Sequence, residues 1–166
     1  DRDGLLASKG SADLDVIASW LKEPFFKMDP PKSTGREQFG FKDLERRLNQ
    51  LKSYSNNDLI STLTTFSASV IAQDLNNLYK ASCIRPINLF VAGGGTNNPV
   101  LFKEIVKLCP GIQVSNIKDI GIPIQAREAV AFALLAWWHL LNRPGSSKAT
   151  TGISRPAILG MEAKSN

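Results

Sequence analysis

The spacing of apolar residues changes along the chain, and the changes divide it. Between Asp13 and Lys27, Leu14, Ile17, Ala18 and Leu21 recur at the three-to-four-residue spacing of a helix face, which ends near Pro24. Pro30-Pro31-Lys32 cannot continue a helix and opens a loop. A short amphipathic helix is predicted over Phe41–Leu51. Asn57 or Asp58 then caps a long helix in which Leu59, Leu63, Phe66, Val70 and Leu78 keep helical spacing to about Ser82.

After residue 85 strand-like and helix-like patterns alternate. The apolar run Ile87–Ala92 reads as a strand and stops at Gly93-Gly94-Gly95-Thr96-Asn97-Asn98-Pro99. A helix follows from Pro99 to about Leu108, and Pro110-Gly111 turns the chain into a second short strand, Ile112–Ser115. Gly121 and Pro123 mark a loop before a helix over Gln125–Leu141. That helix is apolar almost all round (Ala129, Val130, Phe132, Ala133, Leu134, Leu135, Ala136, Trp137), which predicts a central, buried position. Asn142-Arg143-Pro144-Gly145 ends it, and the Ser/Gly/Thr-rich tail holds one short apolar run, Ala157–Leu159. No internal repeat is visible. The alternation predicts a parallel α/β sheet. Three short strands make a thin sheet for so many helices, so strands are expected to be missing, upstream of residue 1. The pattern predicts one domain over 1–166, with a helical part at 13–82 and an α/β part at 85–160.

The glycine turn carries the first candidate chemistry. Three successive glycines lack Cβ atoms, so a ligand or a second backbone can come close. Asn98 can cap the next helix, and Pro99 suits its first position. A helix N-terminus offers amides and positive dipole to a phosphate or polar group. The same turn also occurs as a plain strand-to-helix connection, and the local pattern leaves both readings open. Two nucleotide motifs fail here. A P-loop needs Lys-Ser/Thr after its last glycine, where Thr96-Asn97 stands; a dinucleotide fingerprint needs glycine at Asn98 and an acid where Ser115-Asn116 lies.

Composition narrows the class. A chain of 166 residues with 43% hydrophobic content is long enough for a proper core and is not that of a disordered protein. No apolar stretch reaches the roughly 20 residues of a membrane span, and the start Asp1-Arg2-Asp3 is no signal peptide, so a cytoplasmic location is expected. Cys83 and Cys109 form neither a disulfide framework nor a metal-ligand spacing, and His139 is the only histidine, a packing or surface residue. A classical zinc site, a Ser-His-Asp triad and any other resident metal site are therefore unsupported. Residues 1–82 balance 11 basic against 11 acidic side chains, whereas residues 83–166 hold 9 basic and 4 acidic. The excess near the glycine turn suits an anionic ligand. It lacks the clustered cations and interleaved aromatics of a nucleic-acid binder.

Two further segments carry polar groups. In Pro31-Lys32-Ser33-Thr34-Gly35-Arg36-Glu37, Lys32, Thr34 and Arg36 could bind an anion, while Thr34 and Glu37 have capping-box spacing that favours a helix start. Glu128 stands one turn into the most apolar helix, either as a carboxylate kept for a partner or as a first-turn acid paired with Arg127.

Together these segments resemble the anhydro-N-acetylmuramic acid kinases of the actin-like sugar kinase superfamily. The resemblance rests on Pro31–Glu37, Val91-Ala92-Gly93-Gly94-Gly95 with Asn98-Pro99, Gly121-Ile122-Pro123, and Glu128-Ala129 with Phe132-Ala133-Leu134-Leu135-Ala136. It continues through Arg143-Pro144-Gly145, Thr151-Gly152 and Arg155-Pro156-Ala157-Ile158-Leu159-Gly160. It implies the C-terminal lobe of an actin-like ATPase (RNase H-like) fold: an α/β, helix-rich lobe with a thin mixed sheet. It further implies ATP-dependent phosphorylation of an anhydro amino sugar, with water opening the anhydro ring. Gly93, Gly94 and Gly95 would face the nucleotide, Asn98 would set the helix, Glu128 would contact the sugar, and Lys32, Thr34 and Arg36 would border the cleft. ATP would be used with Mg, whose ligands lie outside this chain.

The family's phosphate loops and catalytic aspartate precede the region matched, so no catalytic residue is expected in this chain. The isolated chain is expected not to phosphorylate sugar, because proximity and charge stabilisation need the missing N-terminal lobe. Three readings follow: a piece of a kinase, a non-catalytic nucleotide- or sugar-binding module, or a half-enzyme working beside a separate N-terminal lobe. A bare apolar surface favours the first and third, a charged and covered one the second. A homodimer is a further assembly the chain allows, with no nucleic-acid or membrane partner expected.

Overall fold

One long helix organises the molecule. In the computed structural model, which describes residues 1–163, this is α4, Asn56–Ser82. Before it come α1 (Leu14–Trp20), α2 (Pro24–Lys27) and α3 (Phe41–Gln50). After it come β1 (Asn88–Val91), α5 (Pro99–Leu108), β2 (Gln113–Asn116), α6 (Arg127–Leu140) and α7 (Lys148–Thr151). The Ser55 hydroxyl, two or three residues ahead of the expected Asn57 or Asp58, caps α4 by accepting from Asp58 N. The stretch 13–27 is two helices rather than one, because Pro24 takes the first position of α2 after a turn at residues 21–23. No capping box forms at Thr34: its hydroxyl instead donates to Gln38 Oε1, and residues 36–39 make only a turn.

Two apolar stripes run along α4, and each builds a core. Ala68 and Ala72 meet Ile105 and Cys109 of α5, and small side chains at that seam let the helices approach closely. Leu89 and Val91 of β1 and Val114 of β2 close this core from the sheet side. On the other stripe Phe66 meets Trp20 edge-on at 5.1 Å and Phe26 at 5.5 Å, and Phe39 adds to the cluster through Phe25 and Phe26. Arg47, 2% exposed, lies between the Trp20 and Phe66 rings at 4.7 and 4.6 Å from their centroids.

The sheet is parallel, as the alternation of strand and helix predicts, and not mixed as the resemblance implies. Among the described residues it has two strands, β1 and β2, paired from Asn88↔Gln113 to Val91↔Asn116. The tail run at 157–159 forms no strand; Ala157 instead bonds Gly145 N and Ser146 Oγ. Among the described residues one face of the sheet is packed and the other is not. Leu89 and Val91 point into the core while Phe90, on the opposite face, is exposed. Parallel sheets are normally covered on both faces.

The largest departure from the sequence reading is α6. It was expected at the centre, yet none of its residues is buried, and Phe132, Trp137 and Leu140 are 70%, 58% and 71% exposed. Among the described residues it packs mainly on the short turn leading into it and on the tail, where His139 Nδ1 meets Leu159 O at 3.0 Å. The helix pattern is sound, but among the described residues no layer covers it.

Candidate functional site

The glycine turn sits at the C-terminal end of β1, where open α/β sheets place their ligands. Gly93 has φ +91° and ψ 173°, a conformation that only glycine adopts without strain. Gly94–Asn97 then form one 3-10 turn, closed by Thr96, whose N–H and hydroxyl both donate to Gly93 O at 3.1 and 2.7 Å. A Cβ at Gly93 or Gly94 would meet no atom within 4 Å, so this backbone borders open space. Gly95 differs, because its Cβ would lie 3.3 Å from Leu101 Cδ2.

Asn98 caps α5 as the sequence predicts, and does so twice. Its Oδ1 accepts from Val100 N at 3.0 Å and Leu101 N at 3.2 Å, with Pro99 at the first helical position. Two amides of the helix N-terminus are thereby occupied, so the positive end of α5 does not present them to a phosphate. The N-terminal segment braces the cap: Gly4, with φ +73°, packs where a Cβ would come 2.5 Å from Asn98 Oδ1. Sequence reading gave no sign of this contact, which joins residues far apart in the chain. Behind the turn Val91, Ala92, Leu101 and Ile105 line a cavity of about 150 Å³. That is half the lower end of the range for enclosed small-molecule sites, about 300 Å³. The described residues thus give a shelf with one wall.

The other candidate residues lie apart from it. Lys32 Nζ bonds Asp74 Oδ1 at 2.7 Å and sits 5.2 Å from the Phe25 ring centroid, tying its loop to α4. Thr34 borders the aromatic cluster, and Arg36 is exposed with no ion pair among the described residues. Glu128 is exposed and pairs with its neighbour Arg127 at 3.1 Å. No hydrogen bond among the described residues joins Glu128, Lys32, Thr34 or Arg36 to the turn. The sequence reading missed Arg47, whose Nε and Nη2 reach Asp43 at 2.8 Å and Glu23 at 2.9 Å. The Asp43–Arg47 spacing of one helical turn was its only legible signal. Burial pushes the Asp43 carboxyl up, but Arg47 and Arg46 outweigh it and hold the group below its ordinary value.

These features define a class first: a helix-rich α/β unit in which a glycine turn joins a strand of a small parallel sheet to a capped helix. The sequence matches the profile of the family described as anhydro-N-acetylmuramic acid kinase over residues 1–164, and the chain belongs to that family. It is similar to the anhydro-N-acetylmuramic acid kinase of Prochlorococcus marinus strain MIT 9211, with 63% identity over all of this chain and 44% of the relative. The kinase of strain MIT 9303 is 52% identical over 98% of this chain and 43% of its own length. That of Synechococcus sp. strain CC9902 is 49% identical over 97% and 43%. The chain therefore spans less than half the length of the curated relatives it matches.

Proposed function

We propose that this chain is the C-terminal lobe of an ATP-dependent anhydro-N-acetylmuramic acid kinase with the actin-like ATPase fold. In this reading it forms one wall of the nucleotide cleft and is inactive in sugar phosphorylation until joined to the rest of the enzyme. The observation that carries the reading is the open backbone at Gly93 and Gly94 beside the Asn98-capped helix. Because Asn98 occupies the α5 amides, the shelf suits the nucleoside end of ATP rather than its phosphates. In this reading the phosphate grip and the ligands of Mg come from outside this chain. Glu128, paired among the described residues with Arg127 alone, is the carboxylate available to the anhydro amino sugar. Lys32 braces the Thr34–Arg36 segment, leaving Arg36 as the cation that could reach a cleft.

The bare apolar face of α6 supports a lobe over a self-contained binding module, since a module would cover such a face itself. A lobe encoded separately from its partner is supported equally. In the lobe reading the N-terminal part of the kinase covers α6; a second copy of this chain is the competing occupant. Amino-sugar recycling with ATP places the enzyme in the cytoplasm, and no helix among the described residues is long and apolar enough to cross a membrane. Calorimetric titration with ADP, beside a Gly94→Val variant, tests the shelf. Binding that the variant loses is expected; equal binding by both chains would remove the turn from the site.

A further inference from the structure

Where the N-terminal segment 7–14 crosses α4 and α5, the three border a cavity of about 660 Å³. Its size falls inside the range of about 300–1,000 Å³ for small-molecule sites. The segment that forms one wall is pinned to α4. Ser11 N donates to Asp58 Oδ1 at 2.7 Å, and Asp13 N donates to Thr62 Oγ1 at 3.0 Å. Gly10 lies so close to α4 that a Cβ would come 2.1 Å from Asn57 O.

Two hydroxyls on the α4 wall set the chemistry. Ser61 and Thr65 are 5% and 4% exposed and stand one helical turn apart. A hydroxyl inside a helix commonly donates to the carbonyl four residues back, as those of Thr62, Ser67 and Ser69 do here. Among the described residues the Ser61 and Thr65 hydroxyls make no such bond and have no other hydrogen-bond partner. Neither is sealed off. The one buried side-chain nitrogen or oxygen left unpaired among the described residues is Arg47 Nη1, so Ser61 Oγ and Thr65 Oγ1 open into the cavity they line. Polar groups this deep are costly unless something in the cavity meets them.

The α5 wall carries both signs of charge. Lys103 is exposed and has no ion pair among the described residues, and Lys107 Nζ meets Glu104 Oε2 at 3.2 Å. An anion brought here meets the Glu104 carboxylate, and a cation meets the two lysines. A molecule with several hydroxyls suits both, donating to Glu104 and accepting from Lys103. Side chains four residues apart on a helix stand about 5–6 Å from each other. A six-membered sugar ring spans that gap with hydroxyls at opposite ends, and Leu14, 64% exposed at the rim, offers apolar surface to its C–H edges.

We propose that this cavity is a binding site for a neutral polyhydroxylated ring, held by the Ser61 and Thr65 hydroxyls from α4 and by Lys103 and Glu104 from α5. The site uses neither the glycine turn nor Glu128, so it stands or falls apart from the kinase reading.

The probe is methyl β-D-glucopyranoside, with cyclohexanol as a ring with one hydroxyl and inorganic phosphate as the anion, each titrated into the isotope-labelled chain and followed by NMR. The glucoside is expected to shift the Ser61, Thr65 and Lys103 amides saturably, and to bind at least tenfold tighter than cyclohexanol or phosphate. Ser61→Ala with Thr65→Val should cut its binding at least tenfold. The thermal melt of that variant should hold or rise, because hydroxyls without partners in the fold contribute nothing to it. Ser61→Ala alone, the milder change, should weaken binding at least threefold with the melt unchanged. No saturable shift in the folded parent, cyclohexanol or phosphate binding within tenfold of the glucoside, full binding by either variant, or a lower melt for Ser61→Ala would each overturn the proposal.

Discussion

Asn98 is the residue on which the geometry of the glycine turn depends, and replacing it gives a prediction with a magnitude. Its Oδ1 holds two α5 amides, at 3.0 and 3.2 Å, on a half-buried side chain. Asn98→Ala removes both bonds and leaves the amides only partly open to water. Cap removal costs about 0.5–2 kcal/mol, and a doubly bonded cap belongs in the upper half, about 1.5 kcal/mol. For a chain of this size 1 kcal/mol moves the melting temperature by roughly 2–4 °C, so a fall of about 3–6 °C is expected. Asn98→Asp keeps the acceptor and adds negative charge at the helix N-terminus, worth about 0.3–1 kcal/mol in its favour. It should melt at or above the parent. Gly4→Ala should share the loss, because its Cβ would press on the cap at an unfavourable φ of +73°. Circular dichroism melts of the three variants, with urea titrations, check the ordering. A fall of less than about 1 °C for Asn98→Ala, or an equal fall for Asn98→Asp, would refute the cap as described.

Ile105→Ala, at the α4–α5 seam where Ile105 meets Ala68 and Ala72, should cost about 2–5 kcal/mol in urea unfolding. Phe132→Ser on α6 should change stability by no more than about 0.5 kcal/mol and raise solubility; a loss of several kcal/mol would mean that α6 is packed in this chain. Gly93→Val should destabilise by roughly 1–3 kcal/mol through its φ of +91°, while Gly94→Val, beside open space, should not. Stability should fall in acid. The Tyr54 hydroxyl and Val16 N–H lower Asp13, and Ser11 N–H and the Ser55 hydroxyl lower Asp58, as Arg47 and Arg46 do for Asp43. These depressed carboxylates stabilise fully above the unfolded value of about 3.9, and that stability is lost as the pH falls through their folded values. Melts between pH 7 and pH 2 check this, and Tyr54→Phe should bring the Asp13 titration back up.

Local features were legible because local rules fix them. Asn98-Pro99 announces a capped helix by residue type, and the run Ile87–Ala92 into three glycines announces a strand and turn. Errors at Ser55 and Thr34 arose where several hydroxyl and carboxylate side chains compete for one cap, a choice made by tertiary contacts such as Asp58 with Ser11 N. Arg47 was invisible for a different reason. A charged residue on an amphipathic helix reads as solvated, and its burial depends on Trp20 and Phe66, one before and one after it in the chain. In α6 the pattern records a burial that the described residues do not provide. Its ring of apolar side chains was read correctly, and its surroundings were not.

The most direct test of the lobe reading is reconstitution. This chain would be mixed with the complementary N-terminal part of the Prochlorococcus marinus MIT 9211 kinase, and ATP-dependent phosphorylation of anhydro-N-acetylmuramic acid measured for each part and for the mixture. The account predicts no turnover by this chain alone, turnover by the mixture, and loss of that turnover with Phe132→Asp on α6. Full turnover by this chain alone, or a mixture that forms a stable complex and stays inactive, would contradict it.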